Sequence, residues 1–166
     1  MANKSDIRSF TELYQHALTD KQWLGPFVAG HLMVEFMLRK LIGQYDPKLV
    51  PLADKMRHHE LIDLNSQIET ISSGQRDLLI SINQMRNRLA HRIDYSPTVH
   101  ELQMLWQLAA GSVSDLTDGI AQGREVLDTI GAVDDIGSWV FSELFIQISY
   151  DLHNEFTELG GDIETL

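Results

Sequence analysis

Apolar residues recur along this chain at three- and four-residue intervals, while alternation of period two is almost absent. That pattern predicts helices throughout. Ser5 and Asp6 suit the cap of a first helix ending near Leu18. Thr19 and Asp20 open a long second helix, KQWLGPFVAGHLMVEFMLRKLI, with Pro26 near its start and Gly43 as its expected stop. Asp46 and Pro47 mark a loop, and Pro51 suits the first turn of a third helix running to about Ile71. Ser72, Ser73 and Gly74 interrupt the chain before a fourth helix, QRDLLISINQMRNRLAHRI, which Tyr95, Ser96 and Pro97 end. Thr98 with Glu101 three residues later forms a capping-box pattern for a fifth helix, loosened near Gly111 and expected to continue through Leu116 to Ile130. A last helix over about residues 134–159 stops at Gly160 and Gly161. The expected fold is an all-α helical bundle of five to six helices around a core of four or five.

At 166 residues and 43% apolar content the chain can bury one real core. The expected organisation is a bundle over 1–133, with an acidic C-terminal helix and tail, 134–166, packed on the same domain. Trp23, Trp106 and Trp139 read as core or interface anchors, and the run WVFSELFIQI is wide enough to bury against the bundle or a partner. The absence of cysteine removes disulfides and thiolate metal sites. The N-terminal stretch lacks the apolar core of a signal peptide, and no run approaches a membrane span, so the expectation is a soluble cytoplasmic protein without a membrane partner.

Charge changes the picture. The formal net charge is -11, which argues against indiscriminate nucleic-acid binding over the whole surface. Yet residues 1–95 hold 12 of the 13 Lys and Arg and only 11 of the 24 acids. Beyond residue 95, Arg124 stands alone among the acids, and Asp115, Asp118, Asp134 and Asp135 read as a solvated acidic surface. Any phosphate chemistry belongs to the front of the chain.

Within that front, QMRNRLAHRIDY concentrates three arginines, an asparagine and a histidine at the end of the fourth helix. On a helical wheel Leu78, Ile82, Met85 and Leu89 form the core stripe, and Arg86 falls about 40° from Ile82, at the edge of that stripe. A guanidinium so placed needs a carboxylate, a carbonyl or a phosphate. One reading pairs Arg86 with a buried acid such as Glu35 and lets His91 and Arg92 complement the helix C-terminus.

The other reading is catalytic. Arg86-Asn87-Arg88-Leu89-Ala90-His91 resembles the R-x(4–6)-H signature of the HEPN superfamily, with the preferred polar residue directly after the arginine. The resemblance covers roughly residues 10–130 and implies a small helical bundle acting as a metal-independent endoribonuclease of the toxin or phage-defence type, without a cofactor. It implies that His91 transfers protons, Arg86 stabilises the phosphate and Asn87 orients one of them, with Arg88 and Arg92 gathering RNA. The residue types suit that chemistry: histidine moves protons near neutral pH, and arginine offers a fixed fork of donors to a phosphate. The ribose 2'-OH would be the nucleophile. Arg86 and His91 diverge by about 140° on a straight helix, so either the helix ends before His91 or two copies share a cleft. The resemblance implies the second, a homodimer, and admits a cognate antitoxin as a further partner.

Other patterns are weaker. His31, Glu35 and Arg39 form a polar line along the second helix, readable as a metal pair or, more commonly, as a side-chain network beside the Arg86 pocket in which Glu35 and Arg39 support the site. Arg57, His58, His59 and Glu60 read as a solvated face that could touch RNA backbone, since adjacent residues point about 100° apart. None of the seven histidines has a glutamate three positions before it, which excludes a ferritin-like di-iron site. Phosphate-binding glycine loops and G-x-S-x-G are absent as well. A non-catalytic helical module that regulates or binds a protein or nucleotide remains the alternative, favoured by the acidic balance.

Overall fold

The computed structural model describes residues 9–12 and 21–166. The expected first helix therefore lies largely outside the described residues. Seven α-helices follow Lys21: α1 (Leu24–Tyr45), α2 (Val50–Ala53), α3 (His58–Gln67), α4 (Ser73–His91), α5 (Val99–Ser112), α6 (Gly119–Thr129) and α7 (Ser138–Glu158). Single 3₁₀ turns precede α2, at Pro47–Leu49, and α7, at Val133–Asp135. The fold is all-α, with no strand among the described residues.

Local chemistry explains the ends. Helix α1 runs past Gly43 because its stop is set further on: Asp46 is extended, its carboxylate accepts from Lys48 N at 2.9 Å, and Pro47 cannot continue the helical ladder. The expected third helix is two. The chain turns through Asp54 to Arg57, and α3 restarts where the Glu60 carboxylate accepts from Arg57 N at 2.7 Å. Helix α4 begins in a reciprocal Ser72–Gln75 capping box. Thr98 and Glu101 form the corresponding box on α5, with bonds of 2.8 and 3.1 Å.

The fifth helix does not continue to Ile130. It ends at Ser112, and the connection to α6 is held from below by α7. Asp151 accepts from Ser114 N at 2.9 Å and Gln147 accepts from Leu116 N at 3.0 Å. Asp115, read from sequence as solvated surface, instead caps α6 by accepting from Ile120 N and Ala121 N, each at 2.9 Å. Backbone groups of this loop thereby find partners on or near a buried helix face.

The core centres on α1 and α7, the most extensive helix pair. Trp23 stacks on Phe141 at 5.5 Å between centroids, and Phe27 and Trp106 meet the same ring edge-on at 5.5 and 5.2 Å. Val140, Leu144, Phe145, Ile148, Leu152 and Phe156 extend this seam along α7, so the acidic C-terminal helix is integral to the core. Trp139 is exposed and anchors nothing in the chain's own interior. Gly30 is what lets the two helices meet so closely, because a Cβ there would lie 2.0 Å from the Phe145 ring. No helix among the described residues is long and apolar enough to cross a membrane.

Candidate functional site

On the side of α1 away from α7's aromatic seam, helices α1, α3 and α4 enclose an open cleft of about 630 Å³. Helix α1 contributes His31 and Glu35. The turn into α3 contributes Met56, Arg57, His58 and His59, and α4 contributes Asn83, Arg86, Asn87 and His91. Three of the sequence candidates, Arg86, Asn87 and His91, therefore line one cleft within a single chain. Helix α4 does not end before His91: His91 is its last residue, and the chain turns extended only at Arg92. A wide cleft accommodates the divergence that the helical wheel gives for Arg86 and His91. Geometry alone does not require a second copy to unite them.

Arg86 is exposed, and it does not pair with Glu35. Its Nη1 donates to Asn87 Oδ1 at 3.4 Å, which leaves most of its fork turned to the cleft. The core-edge position on the wheel belongs in effect to Asn83, one turn earlier and buried. Arg88 and Arg92 do not line the cleft. The Arg88 guanidinium lies 4.8 Å over the Tyr95 ring and binds Glu101, and Arg92 pairs with Asp94 at 3.3 Å. Both arginines fasten the α4–α5 connection.

Glu35 and Arg39 pair at 2.7 Å, and Arg39 also donates to the Met56 carbonyl at 3.3 Å. Arg39 thus reaches the cleft through Glu35 and Met56. Burial would raise the Glu35 carboxyl, but the Arg39 hydrogen bond and charge, with His58, hold it below the usual range. It is the single acid in the lining, against Arg57, Arg86 and three further histidines around His58. With Glu35 engaged by Arg39, the cleft is a basic concavity in an acidic chain.

The floor of the cleft is what sequence reasoning missed. His58, expected on a solvated face, is 7% exposed and stacks on His31 at 3.9 Å, with 25° between the rings. Its Nδ1 lies 3.4 Å from Glu35 Oε2. The local pattern gave His58 and its exposed neighbour His59 equal standing. Only the cap at Arg57 and Glu60, which fixes the first turn of α3, decides that His58 faces inward. Burial pushes His58 down to about 4, aided by His31 and Arg39 and opposed by Glu35. Burial also lowers His31, with Arg86 acting in the same direction, against a hydrogen bond with Asn83 and the Glu35 charge. Burial therefore favours the neutral form of both rings, in which each imidazole carries a lone pair. The donor atoms of His31, Glu35 and His58 all lie within 4.8 Å of one another, and no other such group occurs among the described residues.

Comparison of the chain with protein-family models, with curated proteins and with solved structures returns no match.

Proposed function

We propose that the protein is a metal-independent endoribonuclease of the HEPN type, working in the cytoplasm as a toxin or phage-defence component. One observation carries this reading: Arg86, Asn87 and His91, the residues of the RNRLAH resemblance, line one basic cleft together with Arg57 in a chain of net charge -11. In this reaction the ribose 2'-oxygen attacks the adjacent phosphorus and the P–O5' bond breaks. The 2'-hydroxyl proton passes, in net terms, to the departing 5'-oxygen, leaving a 2',3'-cyclic phosphate and a 5'-OH. His91 carries the proton. Arg86 opposes the charge that builds on the phosphoryl oxygens, and Asn87 steadies its guanidinium. Arg57 and His59, which line the cleft, would meet flanking phosphates there, and Arg88 and Arg92, paired outside it, would gather RNA only beyond the cleft.

The decisive experiment is RNA cleavage in excess chelator. Wild type is expected to release 2',3'-cyclic ends. His91→Ala is expected to lose roughly 10²–10⁴-fold in rate, and Arg86→Ala roughly 10²–10³-fold, with unchanged circular dichroism. Full cleavage by either variant removes the assignment.

The same reading includes a homodimer. Val28, Leu32 and Phe36 form an exposed apolar stripe on successive turns of α1. Each of Leu32 and Phe36 directly follows a cleft residue, His31 and Glu35. A two-fold contact through the stripe would set both clefts beside one axis. The antitoxin of such a system would be a separate protein partner. A second reading, a non-catalytic binding module, draws its support from the acidic balance and from the two arginines committed to structural pairs. Growth arrest on expression, relieved by Arg86→Ala or His91→Ala, separates the two.

A further inference from the structure

We propose that His31, Glu35 and His58 form a binding site for a divalent transition cation of the zinc class, with its open coordination position facing the cleft. The chemistry of the donors carries it. Two imidazole nitrogens and one carboxylate oxygen, from α1 and the first turn of α3, come together with all ligand atoms within 4.8 Å. Calcium and magnesium favour six or more oxygens, whereas two histidines and one carboxylate suit zinc and its neighbours.

A second observation is independent of that proximity. His31 is 3% exposed and His58 is 7% exposed, yet His31 Nε2 and His58 Nε2 are buried without a hydrogen-bond partner, and His58 Nδ1 has only the Glu35 carboxylate at 3.4 Å. An imidazole carries at least one N–H and, when neutral, one lone pair. Buried polar atoms of this kind normally have partners, and one orphaned nitrogen on each of two touching rings asks for a common one. A metal ion takes the lone pair of each ring.

The surroundings are those of a supported ligand set. Arg39 grips Glu35 Oε1 at 2.7 Å and is itself tied to the Met56 carbonyl, which leaves Oε2, on the His58 side, to bind the ion. Zinc–nitrogen bonds of about 2.0–2.1 Å require the donors to draw together, so the two stacked rings must fan apart on binding. Three protein ligands leave one position open, and Arg86 and Asn87 line the same cleft as the three donors. The site does not depend on the ribonuclease reading, whose chemistry uses no metal.

The test is a Co²⁺ titration of the full-length protein, stripped by chelator and followed by ligand-field absorption in the visible, with Zn²⁺ added as competitor. The expected result is one Co²⁺ per chain, displaced by one Zn²⁺. His58→Ala and Glu35→Gln should each weaken binding by more than roughly tenfold, while His59→Ala and His91→Ala bind as wild type. Absence of a saturable spectrum in the wild-type protein overturns the proposal, as does a spectrum lost in His59→Ala or His91→Ala and kept in His58→Ala. Should His58→Ala fail to fold, Glu35→Gln decides alone, and unchanged Co²⁺ binding there overturns it. RNA cleavage enters neither outcome, so the two readings fail separately.

Discussion

Glu101 closes the capping box of α5, accepts from the Arg88 guanidinium and stands 3.4 Å from Tyr95 Oη. Burial raises its carboxyl, but the Thr98 backbone hydrogen bond and Arg88 outweigh that and leave it below the ordinary glutamate range. A carboxyl depressed in the folded state binds fewer protons there than in the unfolded chain. Its contribution is therefore complete above the unfolded value, about 4.3, and is lost as pH falls through the folded one. Glu101→Gln is expected to destabilise by up to about 1 kcal/mol at neutral pH. The difference should shrink toward zero in acid, as measured by thermal melts across pH 3 to 7. Tyr95, pushed up to about 12 mainly by burial, stays protonated over that whole range and adds nothing to the slope. The same cluster shows what the sequence around Arg88 does not reveal. The local pattern there suggests an RNA contact, and only the fold brings Glu101 and Tyr95 to its guanidinium. Arg86, Asn87 and His91 could be picked out because they share one helix, whereas His58 needed a partner 27 positions away in sequence, His31.

At the scale of elements, the close approach of α1 and α7 rests on Gly30. Gly30→Ala places a methyl carbon 2.0 Å from the Phe145 ring, in a seam where Phe145 already packs edge-on to Phe27 at 5.8 Å. The ring has nowhere to retreat, and the expected loss is about 1–3 kcal/mol, read as a lowered midpoint in urea with an unchanged m-value. Helix ends with local chemistry were legible: Thr98 with Glu101, and the break at Ser72 to Gly74. The stop at Ser112 was not, because the groups that hold the loop after it, Gln147 and Asp151, lie over 30 residues further along the chain. The division of the third helix was hidden for a related reason. Val50–Ala53 is apolar enough to read as continuous with α3, and the cap that restarts α3 belongs to Glu60.

For the whole molecule, charge and apolar surface are partitioned. Of the 13 Lys and Arg, 12 lie in the first 95 residues, with Arg57 and Arg86 lining the cleft, while the acids of the last 71 residues sit largely on α6, α7 and their connections, and an apolar stripe runs along α1. If two chains meet through that stripe, Leu32→Glu introduces a pair of facing carboxylates and is expected to yield a monomeric mass by light scattering, against a dimeric wild type. A wild type that is monomeric at all concentrations removes the dimer. The all-α class was legible because every described element has helical periodicity. The cleft was not, since it forms between α1, α3 and α4, and no single stretch of sequence contains it.

Helix α1 presents three surfaces at once: Phe27, Val34, Leu38 and Leu41 to the core, His31 and Glu35 to the cleft, and Val28, Leu32 and Phe36 outward. Each surface is set by the same phase. Inserting or deleting a single residue near the middle of α1 would turn everything beyond it by about 100°. Hydrophobic packing, cleft and outer stripe would be scrambled together. Individual positions on this helix can be exchanged for residues of like size and polarity, but its length between Phe27 and Leu41 is fixed.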